Sequence, residues 1–325
     1  MRIVVSVHDP PVWTLPAREV TRLQASLPED EVVDARTPEE RRAAFPEAEV
    51  LVAFRIGADE FASARRLRWI HTTAVGVNGL LPRPVVESPV LVTNTRGVHA
   101  AAIAEHAVAL MLAVRRRFPQ AAVGQAGRRW LQAELMQAEG PPLSASCLLV
   151  VGLGEIGSRV AALGAGLGMR VIAVRRRADA PMPPGVSAVA GPERLHEFLG
   201  QADVVVLAVP QTDETRALLG PDEFDVMRQH AVLVNVARGG LVDDAALEQA
   251  IRTGRLGGAG LDAFAREPLP PDSPLWRLPN VVITPHSAAF AGDYWAPAVD
   301  FFLRNLERFR RGEPLMNLVD KVHRY

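Results

Sequence analysis

The stretch that most constrains this chain is Gly152-Leu153-Gly154-Glu155-Ile156-Gly157. Five uncharged residues, Cys147 to Val151, run straight into it and have the length and character of a strand buried on both faces. Val160, Leu163 and Leu167 then recur at helical spacing, and Val171-Ile172-Ala173-Val174 forms a second apolar run. A strand, a glycine turn, a helix and a strand in that order read as a dinucleotide-binding unit. In such a unit Gly152 permits the tight turn, Gly154 lets a pyrophosphate approach the backbone, and Gly157 lets helix and strand pack closely. The helix start adds unpaired N–H groups and the positive end of the helix dipole.

The second strand of the unit ends unusually. A preference for NAD calls for Asp or Glu there, to accept hydrogen bonds from the ribose hydroxyls. The residue eighteen positions after Gly157 is Arg175, followed by Arg176 and Arg177. A carboxylate would repel a 2′-phosphate, whereas a guanidinium grips it bidentately. Three arginines can also be a solvated loop, and this chain is Arg-rich: one lysine, Lys321, stands among its 36 basic residues. The missing acid weighs more than the abundant arginine. NADP(H) is therefore the expected cofactor, with NAD(H) kept as the alternative.

Composition narrows the remaining classes. The 325 residues are 48% hydrophobic and 22% charged, an ordinary globular mixture whose length suggests two domains. A net charge of −1 gives no electrostatic case for nucleic acid or an anionic membrane. The single cysteine, Cys147, sits in the buried strand, so neither a disulfide framework nor a cysteine metal site is expected. No apolar run reaches the roughly 18 residues of a membrane span. Met1-Arg2-Ile3-Val4-Val5-Ser6-Val7 enters a strand without a signal-peptide pattern. The expected location is the cytoplasm.

Along the chain, residues 3–7, 32–33, 50–53, 67–73 and 90–94 read as strands, with a break at His8-Asp9-Pro10-Pro11. Helices are expected over 16–27 and 59–67. Residues 99–116 form a long helix that is apolar nearly all round and so must be buried or meet a partner. Residues 118–142 read as a loop with a helical turn. Further buried strands follow at 203–210, 231–236, 256–264 and 280–285. A helix over 244–253 has Asp243 as its N-cap, and the last helix runs from about 293 to 311.

Polar residues cluster at three strand ends: Asn235-Val236-Ala237-Arg238-Gly239-Gly240, Asp262 through Glu267-Pro268, and Thr284-Pro285-His286-Ser287-Ala288. In open parallel sheets the ligand lies beyond the carboxyl ends of the strands. An Arg, a Glu and a His gathered there suit carbonyl reduction. Arg238 can hold a carboxylate and polarise the adjacent C=O. His286 can protonate the oxygen and take the proton back in oxidation. Glu267 beside it favours the imidazolium and fixes the ring. The expected cofactor contacts are Gly152, Gly154, Glu155, Ile156, Gly157, Arg175, Arg176, Val209, Pro210, Val236 and Ala237.

Over nearly its whole length the chain resembles the D-isomer-specific 2-hydroxyacid dehydrogenases. The resemblance is carried by Gly152 to Gly157, Asn235-Val236-Ala237-Arg238-Gly239, Gly260-Leu261-Asp262 through Glu267-Pro268-Leu269, and Asn280-Val281 through Thr284-Pro285-His286. It implies an α/β fold of two domains, a Rossmann-type nucleotide-binding domain (99–287) inserted into a flavodoxin-like substrate domain (1–98 and 288–325). It implies Arg238, Glu267 and His286 as catalytic residues, Asp262 as the acid that holds the nicotinamide carboxamide, and the backbone N–H groups of Val75 and Gly76 as ligands of the substrate carboxylate. It matches the helix at 99–116 to the family's dimer interface. Arg175 in place of the usual acid resembles the NADPH-preferring glyoxylate/hydroxypyruvate reductases. Glu267 as partner of the His argues against formate oxidation. The lack of an appended regulatory domain weakens a phosphoglycerate dehydrogenase reading.

Arg55 could bind a substrate anion or simply lie at the surface. Trp130 falls where the glyoxylate reductases send an aromatic loop into the partner's site, and a surface role is the alternative. His99 and His106, seven apart on one helix face, read as packing residues, and no metal is expected. The leading expectation is an NADP(H)-dependent 2-ketoacid reductase acting as a homodimer. An NAD-linked D-2-hydroxyacid dehydrogenase is the alternative in the same class. A dinucleotide-sensing corepressor-like binding protein is the alternative from another class.

Overall fold

A computed structural model describes residues 1–9, 13–136 and 141–323. The expected break at Pro10-Pro11 and positions 137–140 lie outside the described residues. The chain divides into two compact units, Met1–His99 with Gly292–Tyr325, and Ala100–Ala291.

The first unit holds a five-stranded parallel sheet of β1 (Arg2–Ser6), β2 (Glu31–Asp34), β3 (Val50–Ala53), β4 (Trp69–His71) and β5 (Leu91–Thr93). Its order, β2-β1-β3-β4-β5, is the flavodoxin-like one. The period of two along each strand sorts its side chains between two cores. Val4, Leu51 and Ile70 pack with Phe45 and Leu80 on one face, and Ile3, Val5, Val50, Val52 and Trp69 pack with Leu23 and Phe302 on the other. The helix Trp295–Arg310 puts Val299, Phe302 and Leu306 on that second face at helical spacing. Trp69 stacks on Phe302 with ring centroids 5.3 Å apart.

The second unit holds seven parallel strands: β6 (Cys147–Val151), β7 (Arg170–Val174), β8 (Val186–Ala190), β9 (Val204–Leu207), β10 (Ala231–Asn235), β11 (Leu256–Leu261) and β12 (Val281–Ile283). Their order, β8-β7-β6-β9-β10-β11-β12, is that of dinucleotide-binding sheets with one strand added at the edge. β6 is buried at all five positions. Leu148 and Val150 face the helices Ala100–Arg115 and Glu155–Gly166, while Cys147, Leu149 and Val151 face Phe224, Leu247 and Ile251. Asp243 caps the helix Asp244–Arg252, its side chain accepting from the Ala245 and Ala246 amides at 3.0 Å each.

The structure departs from the sequence reading in two places, the segment after Phe118 and the strand β8. The loop expected after Phe118 holds two helices, Phe118–Ala126 and Gln132–Met136. Pro119 lies in the first turn, where its missing N–H costs nothing, and the alanines that follow favour the helix. The strand β8 was not anticipated, because Val186-Ser187-Ala188-Val189-Ala190 is a half-exposed edge strand without a long apolar run. The Ala100–Arg115 helix buries Ile103, Ala104, Ala107, Leu110, Met111 and Val114 within its own unit, so much of its apolar surface needs no partner. Among the described residues no helix is long and apolar enough to cross a membrane.

Candidate active site

The glycine turn sits at the carboxyl end of β6. Gly152 has φ of +99°, and a side chain there would meet the Ala208 carbonyl at 2.6 Å and Val209 Cγ1 at 2.7 Å. A Cβ on Gly157 would fall 1.7 Å from the Gly152 oxygen, so helix and strand close only on glycine. At Gly154 a Cβ would meet nothing within 4 Å. Gly154 is the N-cap of the Glu155–Gly166 helix and offers no side-chain cap, and the Glu155 and Ile156 amides have no partner among the described residues. Open space in front of unpartnered amides at a helix N-terminus fits a pyrophosphate. Val209 flanks this turn, and the Pro210 carbonyl accepts from Thr215 Oγ1 at 2.8 Å.

Arg175 follows β7 directly. Its guanidinium reaches along its own loop and donates to the Ala180 and Pro181 carbonyls. Arg176 and Arg177 are exposed on the same loop.

Arg238 follows β10, and Asn235 builds its turn. Asn235 is 1% exposed. Its side chain donates to the Arg238 carbonyl at 2.9 Å and accepts from the Ala237 amide at 3.0 Å. A polar residue this buried must be hydrogen-bonded, and here both halves of the amide serve the turn. Gly239 then presses against the segment after β11: a Cβ there would lie 1.8 Å from the Phe264 carbonyl carbon. The Phe264 amide in turn donates to Glu267 Oε1 at 2.9 Å. Val236 is buried and Ala237 half-buried beside the turn.

Glu267 Oε2 lies 2.7 Å from His286 Nδ1. A carboxylate only accepts, so Nδ1 carries the proton and Nε2 is the nitrogen that can exchange one with a ligand oxygen. Burial alone would raise the Glu267 carboxyl. The hydrogen bonds from His286 and from the Phe264 amide, with the charges of His286 and Arg238, outweigh burial and hold it below the usual carboxylate range. Burial pulls the Arg238 guanidinium below its ordinary value, against the opposing charge of Glu267. His286 has φ of +52°. A non-glycine residue in that region costs about 1–3 kcal/mol and persists only where its surroundings over-determine it. Those surroundings include Asp262, 2% exposed, which accepts from Thr284 Oγ1 at 2.7 Å, from the Ser287 amide at 2.8 Å and from the Ala288 amide at 3.0 Å.

Arg238, Glu267 and His286 therefore follow three neighbouring strands, β10, β11 and β12. The structure couples Glu267 directly to His286 and brings Arg238 within electrostatic reach of Glu267. A cation beside a carboxylate-backed imidazole can hold an anion and pass a proton to a neighbouring oxygen. Among the described residues no group of three or more His, Cys, Asp and Glu side chains converges as a metal site.

In the first unit, Val75 and Gly76 lie in the loop after β4. Three successive carbonyls of that loop are tied back: Tyr294 Oη donates to Thr73 at 2.9 Å, the Thr95 amide to Ala74 at 3.1 Å and Asn94 Nδ2 to Val75 at 2.8 Å. The Val75 and Gly76 amides have no partner among the described residues, which suits an anion. Arg55 follows the adjacent strand β3, where the Ile56 amide donates to the Gly79 carbonyl at 2.9 Å. His99 stacks on Tyr294 with centroids 4.0 Å apart. Trp130 is 88% exposed. Asn235, Thr284 and Tyr294 take roles here that their sequence positions alone do not reveal. A buried Asn ending an apolar strand was the one legible signal among them.

Residues 108–288 match the family described as D-isomer specific 2-hydroxyacid dehydrogenase, NAD binding domain. A glyoxylate reductase from Korarchaeum cryptofilum is 36% identical over 269 residues, 82% of this chain and 80% of that protein. A D-3-phosphoglycerate dehydrogenase from Archaeoglobus fulgidus is 33% identical over 90% of this chain, which spans about half, 55%, of that relative's length. An NADPH-dependent glyoxylate/hydroxypyruvate reductase from Sinorhizobium meliloti, solved with NADP and sulfate, superposes with a TM-score of 0.85 at 26% identity, covering 100% of this chain and 99% of that one.

Proposed function

The chain belongs to the D-isomer specific 2-hydroxyacid dehydrogenase family, and from that premise we propose that it reduces a small 2-ketoacid of the glyoxylate or hydroxypyruvate kind with NADPH. The observation that carries the chemistry is the 2.7 Å pairing of His286 with Glu267 beside Arg238, at the carboxyl ends of neighbouring strands. A bound nicotinamide supplies the hydride in reduction. Arg238 holds the substrate carboxylate and polarises the adjacent carbonyl. The Val75 and Gly76 amides of the first unit are the anion ligands that the family resemblance implies. His286, when protonated, gives its Nε2 proton to the carbonyl oxygen and returns to the Nδ1–H form that Glu267 holds. In oxidation the same nitrogen takes the proton back.

The preference for NADP(H) rests on β7. No acid stands at its end to accept from a ribose 2′-hydroxyl, and a basic loop stands there instead. Arg175 braces that loop through the Ala180 and Pro181 carbonyls, and Arg176 is the exposed guanidinium we assign to the 2′-phosphate. The Sinorhizobium meliloti enzyme, NADPH-dependent by its description, supports this reading. The match to the Archaeoglobus fulgidus D-3-phosphoglycerate dehydrogenase supports oxidation of another D-2-hydroxy acid as the second reading.

We assign a homodimer as the working form. The helices after Phe118 carry Phe118 59% exposed, Val123 67%, Trp130 88% and Met136 79%, an apolar surface a partner copy would cover. The cytoplasm, where NADPH is available, is the proposed location. The test is kcat/KM over a panel of 2-ketoacids with NADPH and with NADH. Reduction of glyoxylate or hydroxypyruvate with NADPH favoured at least about tenfold is expected. No turnover of any 2-ketoacid would overturn the reading, and equal use of both cofactors would overturn the NADP assignment.

A further inference from the structure

His106 lies on the helix Ala100–Arg115, 178 residues before Thr284, with its side chain 23% exposed. Its Nε2 is 2.9 Å from Thr284 Oγ1 and 3.6 Å from Asp262 Oδ1. The direction of each bond follows from what each group can do. The Asp262 carboxylate only accepts, so the Thr284 hydroxyl spends its proton on Asp262 at 2.7 Å. The Thr284 oxygen is then an acceptor toward His106, which places the His106 proton on Nε2. The chain of donation runs His106 to Thr284 to Asp262.

Asp262 spends its remaining capacity on the turn that carries His286. It accepts the Ser287 amide at 2.8 Å and the Ala288 amide at 3.0 Å, on the far side of His286 from Thr284. The Thr284 amide donates to the Leu261 carbonyl at 2.9 Å, and its carbonyl accepts from the His286 amide at 3.0 Å. The residues on both sides of Pro285-His286 are thus fastened to one buried carboxylate, and His286 is the turn residue held at φ of +52°. We propose that His106, through Thr284 and Asp262, is a positioning residue for His286: it fixes the hydroxyl that orients the carboxylate that holds the turn. The proposal rests on the reading of His286 as proton donor. It gives Asp262 an anchoring duty whether or not a nicotinamide carboxamide also reaches it.

The test uses the full chain. Thr284→Val keeps the shape of the side chain and removes both of its hydrogen bonds, His106→Phe keeps a ring and removes the donor, and Thr284→Ser keeps the hydroxyl. Misplacing a functional group by about 1 Å can lower activity about 100-fold. Thr284→Val is expected to lower kcat for ketoacid reduction at least about tenfold, His106→Phe by a smaller factor in the same direction, and Thr284→Ser to restore it, with NADPH affinity within about twofold throughout. In a His286→Ala background Thr284→Val should add no further loss, because it acts only through His286. Imidazole NMR of the cofactor-free protein gives the readout that needs no activity: the His286 Nδ1–H resonance, held by Glu267, should shift or broaden in Thr284→Val and return in Thr284→Ser. An unchanged His286 resonance in Thr284→Val, or an equal loss of activity in the His286→Ala background, overturns the proposal. A wild type that reduces no 2-ketoacid would instead sink the proposed function, and the NMR comparison would still decide the role of Thr284 and His106.

Discussion

Acid should destabilise the first unit through a histidine that takes no part in the chemistry. His71 is 0% exposed in β4, its Nδ1 is 2.8 Å from Thr93 Oγ1, and its Nε2 has no partner among the described residues. Burial lowers its pKa to about 3. Between the ordinary value of 6.5 and that folded value, the unfolded chain binds the proton and the folded chain does not. Stability contributed by this site is therefore complete above pH 6.5 and is lost as pH falls toward 3. The slope is about 1.4 kcal/mol per pH unit, so about 2 kcal/mol is gone by pH 5 and about 5 kcal/mol at the folded pKa. His99, pulled by burial to about 4, adds the same sign over the same upper range. The perturbation is His71→Asn, whose side chain can still meet Thr93 and cannot titrate. The assay is urea unfolding at pH 7, 6.5, 6, 5.5 and 5, followed by tryptophan fluorescence, with Trp69 beside His71 as a reporter. Carboxylates and His99 titrate alike in both proteins and cancel in the difference. The wild type should lose stability more steeply than the variant, by about 1.4 kcal/mol per pH unit below pH 6. Parallel curves would show that His71 takes up its proton in the folded state, and the burial argument would fail.

Other outcomes follow from the second unit and its surface. Glu267→Gln should lower kcat, by less than loss of His286 does, because the ring loses the acceptor that holds its Nδ1–H; a kcat identical to wild type would contradict the 2.7 Å pairing as a working contact. Arg176→Asp should collapse or reverse the NADPH preference, because one charge-assisted contact to a phosphate contributes about 1.5–3 kcal/mol, one to two decades of affinity. Arg175→Asp should reduce the preference as well, by freeing the loop it braces at Ala180 and Pro181; an unchanged cofactor ratio in both variants would remove that loop from the specificity argument. Sedimentation should find a dimer at micromolar concentration, and a monomer would leave Phe118, Val123 and Trp130 without the partner proposed for them.

The parts of this molecule that could be read in advance are those where residue type alone fixes the outcome. The run Cys147 to Val151 has no charge to place in water, and Gly152 and Gly157 occupy positions where any Cβ would collide with backbone. Both sheets and the placement of Arg238, Glu267 and His286 at strand ends followed from such signals. The rest depends on contacts between residues distant in sequence. Nothing local marks β8 as a strand, because its edge position leaves Ser187 exposed and Ala188 and Val189 only half-buried. The helices after Phe118 combine Pro119, Gly124 and Gly127 with good helix formers, and the pattern is ambiguous without the fold. Arg175 looked like a free cation, yet its guanidinium is spent on its own loop. His106 read as a packing residue, and only the fold reveals that its Nε2 meets a threonine 178 positions away.

In the proposed mechanism His286 delivers the proton to a ketoacid carbonyl while Glu267 holds its other nitrogen. The most direct measurement is kcat for reduction of glyoxylate and hydroxypyruvate at saturating NADPH, in wild type and in His286→Ala, with NADPH affinity measured separately by nicotinamide fluorescence. A fall in kcat of about 10²- to 10⁴-fold with NADPH binding unchanged is expected. A His286→Ala enzyme with near wild-type kcat would contradict it.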